Sequence, residues 1–207
     1  MTSDQLAIIG RRATRHLIPA GRPLFFEGDD VRTHSNIVRG VFHLSKSMAD
    51  GRQQIVALQF APAHLPARLS RVTAQAATDS EICSVPASLM KDVTGSNHQV
   101  EIAMFMQDLA DLDETRNWML SIGRKSAMEK VASLVLMIVL RIDPSARDSH
   151  QFELPLTRAE MADFLGLTIE TVSRSMTKLR ALEIIRIENG RNATVLSIKK
   201  LKEHAGE

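Results

Sequence analysis

Thr157-Arg158-Ala159-Glu160-Met161-Ala162-Asp163-Phe164-Leu165-Gly166-Leu167-Thr168-Ile169-Glu170-Thr171-Val172-Ser173-Arg174 is the stretch that decides how this chain is organised. Thr157 and Glu160 have capping-box spacing: the hydroxyl accepts from the backbone N–H three residues on, and the carboxylate reaches back to the cap. A helix therefore begins at Thr157 and runs to Leu165. Gly166-Leu167 forms a tight turn, and Thr168 N-caps a second helix from Ile169 to about Leu182. Two short helices joined by a Gly-containing turn make a helix-turn-helix. In the second helix Val172, Met176 and Leu179 recur at steps of four and three and face the core, which leaves Glu170, Ser173, Arg174 and Thr177 outside. Their chemistry suits base edges. Arg donates two hydrogen bonds to guanine, Glu accepts from cytosine N4, and Ser reaches a base or a phosphate. Thr157, Arg158, Thr168, Thr171 and Lys178 complete the expected DNA-contacting set. Arg174, Lys178 and Arg180 oppose only Glu170 across this stretch, a local basic face whose alternative is a solvated helix surface.

Downstream, Ile184 to Glu188 and Ala193 to Ile198 flank Asn189-Gly190, a strong hairpin dipeptide, so the unit ends in a β wing. A winged protein-interaction module is the alternative, but it has no need of exposed Glu, Ser and Arg near the helix start. Upstream, Asp143 to Asp148 is a polar loop, preceded by a helix from Ser126 to Arg141 with a wide apolar face typical of domain core. A break at Ser121-Ile122-Gly123-Arg124 separates that helix from a longer one. In the longer helix Ile102, Phe105, Leu109, Leu112 and Met119 fall on alternating steps of three and four, with Arg116 interrupting the seam. These six residues suit a partner helix in a homodimer; packing against the chain's own β unit is the alternative. From Ile18 to about Pro86 short extended pieces are separated by Gly21, Gly28, Gly40 and Gly51, which reads as an antiparallel β unit. Residues 36–45 supply two strands, Asp50-Gly51 a hairpin before Gln54 to Phe60, and Ala74 to Val85 a further strand. The Pro-containing connection Ala61 to Arg68 is a place to hold a ligand.

Composition narrows the function further. The chain has 207 residues, 44% hydrophobic and 24% charged, enough for a folded core and without the bias of a disordered chain. Its longest apolar run, Val131 to Ile142, is shorter than the roughly 18 residues of a membrane span. The N-terminal MTSDQLAIIGRRATRHL lacks the apolar core of a secretory signal, so a cytoplasmic protein is expected, with no membrane partner. A net charge of +2 does not by itself argue nucleic-acid binding. The one cysteine, Cys83, excludes an intrachain disulfide, an iron–sulfur cluster and a Cys-rich zinc site, and reads as a buried inert thiol rather than a redox switch. The seven histidines include no His-x-His or His-Glu-x-x-His pattern, which disfavours a β-roll metalloenzyme and leaves no metal site and no catalytic residue to name.

The string Leu165 to Arg174, preceded by Leu154-Pro155-Leu156-Thr157-Arg158, resembles the DNA-binding signature of the Crp/Fnr superfamily of bacterial transcription regulators. Ile18-Pro19-Ala20-Gly21 and Phe26-Glu27-Gly28-Asp29 resemble the opening of that family's β-roll. Arg39-Gly40 and Asp50-Gly51-Arg52 resemble its later turns, and Gly123-Arg124-Lys125-Ser126-Ala127 the joint after its dimerisation helix. The resemblance implies an α+β fold: a cyclic-nucleotide-binding-like β-roll over residues 1–96, a dimerisation helix over 97–123 and a winged helix-turn-helix over 124–207. It implies a non-enzymatic homodimer on a palindromic double-stranded operator, with RNA polymerase as a further partner. Glu170, Ser173 and Arg174 match the Fnr/FixK branch, which implies TTGAT-like half-sites with Arg174 and Glu170 on the G·C pair and Ser173 on the neighbouring T.

For the effector the chain departs from the family. Cyclic-nucleotide sensors carry a Gly-Glu pair followed by Arg-Ser or Arg-Thr; residues 61–73 lack the Gly-Glu pair, although Arg68 or Arg71 could still serve an anion. The N-terminal cysteine cluster of oxygen-sensing Fnr is absent. His64 is a candidate haem ligand, with an ordinary surface histidine as the alternative, so no cofactor is assigned. Two further readings stay open: a haem-based gas-sensing regulator, and a β-roll ligand-binding or metal protein with a vestigial helix-turn-helix.

Overall fold

The computed structural model describes residues 9–207; residues 1–8, which hold part of the N-terminal stretch compared above with a secretory signal, lie outside the described residues. The chain divides into two compact units between Arg116 and Asn117.

The first unit is a β-roll with helices appended. Its strands are β1 (Thr14–Ile18), β2 (Pro23–Phe25), β3 (Thr33–Arg39), β4 (Val41–Ser47), β5 (Gln53–Phe60), β6 (Ala63–Leu65), β7 (Thr73–Ala76) and β8 (Ser80–Pro86). They form two antiparallel four-stranded sheets, ordered β1-β8-β3-β6 and β2-β7-β4-β5. Alternation sends Ile37, Leu65 and Ile82 inward from the first sheet to meet Phe42, Ala74 and Ala76 from the second in one core. Gly40 links β3 to β4 at φ +97°, and a Cβ there would stand 2.8 Å from the Ser80 Cα, so the turn requires glycine.

In the roll two expectations change. Ala74 to Val85 is two strands, because the chain turns from one sheet to the other at residues 77–79. Ala77 N–H donates to Val41 O, Val41 N–H to Thr78 Oγ1, and Ala20 N–H to Asp79 Oδ1, so this corner is held by partners far off in sequence. The connection after Ala61 contains the short strand β6, which pairs with β3.

Helix α1 (Ala87–Ser96) follows the roll, then α2 (His98–Arg124), which runs on through residues 117–124 of the second unit. The expected break at Ser121–Arg124 is absent. Gly123 sits inside α2, a cost of about 1 kcal/mol that a 27-residue helix absorbs, and the joint falls at Lys125-Ser126. Ser126 N-caps α3 (Ala127–Ile142) with a full capping box to Glu129.

The second unit packs α3 with β9 (His150–Glu153), α4 (Arg158–Leu165), α5 (Ile169–Ala181), β10 (Ile185–Glu188), β11 (Asn192–Val195) and α6 (Ile198–Ala205). Val131, Leu134, Val135 and Ile138 of α3 are fully buried, as are Leu165, Val172 and Leu179. Trp118, near the end of α2, meets Phe164 edge to face at 4.7 Å between ring centroids. The wing has three strands, ordered β10-β11-β9. Asn189 and Gly190 both have positive φ at its tip, as an Asn-Gly hairpin demands. The expected strand to Ile198 stops at Val195; Ser197 caps α6, which buries Leu201 and Ala205.

Candidate nucleic-acid interface

The helix-turn-helix is α4, a turn, and α5. Thr157 caps α4: Glu160 N–H donates to Thr157 Oγ1 at 3.2 Å, while Thr157 N–H and its hydroxyl meet Glu160 Oε2 at 2.7 and 2.8 Å. Gly166 ends the helix at φ +62°. Thr168 caps α5 by accepting from Thr171 N–H at 3.2 Å. The caps fix where the two helices begin, and Val172, Ser175, Met176 and Leu179 bury the inner face of α5.

Glu170, Arg174, Thr177 and Lys178 are exposed on the outer face. Arg174 Nη2 donates to Thr171 Oγ1 at 3.2 Å, and Thr171 Oγ1 also lies 3.1 Å from the capping Thr168 Oγ1. The guanidinium is thus held in place by the residues that start the helix. Hydrogen bonds from its own backbone N–H and the Thr168 hydroxyl keep the Glu170 carboxyl below its usual pKa, with a smaller pull from the Arg174 charge. The result is an ionised acceptor beside a five-donor cation, one helical turn apart, which is the arrangement needed to read both partners of a G·C pair.

Ser173, half-buried, lies at the edge of that face. With Thr177 it lines a cleft of about 280 Å³ together with Arg158 at the start of α4, Arg180, and Gly190 at the wing tip. Arg158 is half-buried; burial lowers its pKa and the nearby Arg180 charge lowers it further. Among the described residues neither guanidinium has an acidic partner, and Arg158 Nη1 contacts only the Met161 sulfur at 3.3 Å. Two cations beside two hydroxyls are a donor set suited to an oxyanion. Arg180 was not placed in the DNA-contacting set. The signal was in the sequence, because Ser173, Thr177 and Arg180 share one face at steps of four and three.

The expected seam on α2 is uncovered. No residue of that 27-residue helix is buried; Phe105 is 59%, Leu109 39% and Met119 74% exposed, and Ile102 and Leu112 lie in the same range. Arg116 Nη1 pairs with Asp113 Oδ1 at 2.8 Å. The roll holds the opposite side of α2: Gln59 Nε2 donates to Asp111 Oδ2 at 3.1 Å, and His64 Nε2 lies 3.3 Å from Asp108 Oδ1.

The effector candidates are dispersed. His64 is 13% exposed on β6 with its Nε2 engaged by Asp108, whereas Arg68 and Arg71 are exposed on the segment before β7, away from the cleft that His64 lines. Cys83, expected to be buried, is half-exposed, because its register on β8 points it out of the roll between Ile82 and Ser84, which point in. One cysteine does not fit an iron–sulfur cluster, which takes several thiolates. Among the described residues no group of three or more His, Cys, Asp or Glu is placed to hold a metal ion, and no helix is long and apolar enough to cross a membrane.

Comparison with known proteins agrees with this geometry. Residues 129–204 match the Crp-like helix-turn-helix domain. A probable transcriptional activator of Rhizobium leguminosarum bv. viciae is 46% identical over 205 residues, spanning 98% of this chain and 85% of that protein. The transcriptional activator protein FnrL of Cereibacter sphaeroides is 36% identical over 214 residues, 99% of this chain and 86% of that protein. The structure of FixK2 from Bradyrhizobium japonicum superposes with a TM-score of 0.83 at 26% identity, covering 92% of this chain and 96% of that one. This chain belongs to the Crp/Fnr family of DNA-binding transcription regulators, in its Fnr/FixK branch.

Proposed function

We propose that the chain is a homodimeric transcription activator of the cytoplasm that reads a palindrome of TTGAT-like half-sites and contacts RNA polymerase from its operator. The observation that carries the base-reading part is the Thr168–Thr171–Arg174 chain of hydrogen bonds with the ionised Glu170 beside it. Arg174 and Glu170 take the G·C pair and Ser173 the adjacent T, while Arg158 and Arg180 hold a backbone phosphate. Thr157, Thr168 and Thr171 act by capping and positioning, and Thr177 and Lys178 lie along the same exposed face. The uncovered stripe on α2 supports a dimer, since Ile102, Phe105, Leu109 and Leu112 are apolar and exposed among the described residues. A dimer places one α5 in each of two major grooves about one helical turn apart.

Independence from cyclic nucleotides is supported by the missing Gly-Glu pair and the dispersal of Arg68 and Arg71. A haem role for His64 has less support, because Asp108 already engages its Nε2. The test is fluorescence anisotropy of the ligand-free protein on a labelled TTGAT-N4-ATCAA duplex against a half-site-scrambled control at two salt concentrations. Tight binding lost on scrambling is expected; equal, weak, salt-sensitive binding to both duplexes would rule out this half-site for the ligand-free protein.

A further inference from the structure

Two arginines in one cleft without an acidic partner call for a counter-charge, and the DNA-reading unit carries such a pair between α4, α5 and the wing tip. Arg158, the first residue of α4, is half-buried, so its guanidinium is partly cut off from the water that would screen it. Arg180, in the last turn of α5, lines the same cleft. Burial and then the Arg180 charge lower the Arg158 pKa, so the two cations repel each other, and an anion between them removes that repulsion. No Asp or Glu is among the described lining residues to fill this role. The lining adds the hydroxyls of Ser173 and Thr177, which donate to the same acceptor, and otherwise only Met176, Ile187 and Gly190. At about 280 Å³ the cleft lies at the small end of the roughly 300 to 1,000 Å³ range of small-molecule sites, which suits an ion with a few waters better than a large organic ligand. The guanidinium forks match the separated oxygens of a tetrahedral oxyanion, whereas a spherical chloride leaves most of their donors unused.

We propose that this cleft binds free inorganic phosphate in the absence of DNA, and that DNA must expel the ion in order to bind. The competition rests on the reading of Arg158 and Arg180 as a backbone-phosphate contact; occupancy of the cleft by the free ion does not. A phosphodiester and inorganic phosphate present similar oxygens to the same donors, so one excludes the other. Two charge-assisted contacts to a free ion correspond to a Kd of about 1 mM. At about 10 mM phosphate, linkage then lowers DNA affinity about tenfold for each subunit that sheds its ion. Phosphate thus acts on operator occupancy at the surface that touches DNA, and no helix has to move.

Inorganic phosphate is titrated into the full chain at neutral pH, with sodium chloride adjusted to hold the ionic strength constant. Without DNA, the melting temperature is expected to rise saturably by about 3 °C over the chloride reference. Arg180→Ala, a change at an exposed position whose own cooperative melt reports folding, is expected to abolish that rise. With a labelled duplex, anisotropy is expected to show wild-type affinity about tenfold or more weaker at about 10 mM phosphate than in chloride, and Arg180→Ala indifferent to the exchange. The half-site-scrambled duplex serves equally, because a backbone contact carries no sequence information, so a wrong half-site leaves this result intact. No saturable rise in the wild type would overturn the proposal, and so would a rise that Arg180→Ala retains, since the ion would then sit elsewhere. A rise lost in Arg180→Ala with neither duplex weakened would keep the ion in the cleft and overturn its competition with DNA, together with the backbone-phosphate reading of Arg158 and Arg180.

Discussion

Replacing Arg174 and Arg180 separately by Ala distinguishes base reading from backbone binding within one helix. Arg174 is exposed and donates one hydrogen bond to Thr171, so removal leaves no unpaired buried group and the fold is expected to be unchanged. What is lost is a guanine contact of about 1–3 kcal/mol, or roughly 5- to 150-fold in preference for the G·C pair over a substituted pair. Arg180 lines the cleft with Arg158 that is proposed to take a backbone phosphate. Arg180→Ala is therefore expected to weaken all duplexes alike and to reduce the slope of log K against log salt by about 0.9 per half-site. Anisotropy on the intact duplex and on one with the half-site G·C pair exchanged, each over a salt series, reads both quantities. Arg174→Ala with an unchanged ratio between the two duplexes would refute the assignment of Arg174 to the base. A ratio altered by Arg180→Ala would refute the assignment of Arg180 to the backbone.

Leu109→Glu places a charge in the middle of the apolar stripe, and analytical ultracentrifugation is expected to show a monomer with greatly weakened operator binding; a dimer of undiminished stability would move the interface off α2. Gly40→Ala forces a Cβ onto Ser80 and an L-residue into φ +97°, so thermal unfolding is expected to show a loss of about 2 kcal/mol or more; a change within about 0.5 kcal/mol would contradict the packing of that turn. His34 has a folded-state pKa below its unfolded value, so the unfolded chain binds its proton first and stability falls as pH drops below about 6.5, while above that pH the group contributes no slope. His34→Leu is expected to flatten that part of the profile of melting temperature against pH, and an unaltered acid limb would show that other groups set it.

Local chemistry made the DNA-binding unit legible. Caps at Thr157 and Thr168, the Gly166 turn and the step pattern of Val172, Met176 and Leu179 act over a few residues, so each was visible in sequence and each is present in the structure. The same was true of the turns at Gly40 and Gly51 and of the Asn189-Gly190 wing tip. The α6 helix was missed although Ser197 and the spacing of Ile198, Leu201 and Ala205 announced it, because the preceding β-branched residues let the strand pattern be carried too far.

Where partners are distant, sequence pattern alone was insufficient. Ala74 to Val85 reads as one extended run, yet it splits at residues 77–79 because Val41 and Ala20 supply the hydrogen bonds that bend it. β9 has a single apolar residue, Phe152, and exists because β11 offers it an edge. The convergence of Arg158 and Arg180 needs α4 and α5 to cross, and the cleft around His34 and Cys83 needs β3 and β8 to be neighbours under α2. The amino-acid sequence by itself determined the caps, turns and amphipathic faces, whose energies are local. Only the tertiary structure decided which strand ends pair, which cations meet and which cavity remains, since those depend on contacts between residues tens of positions apart.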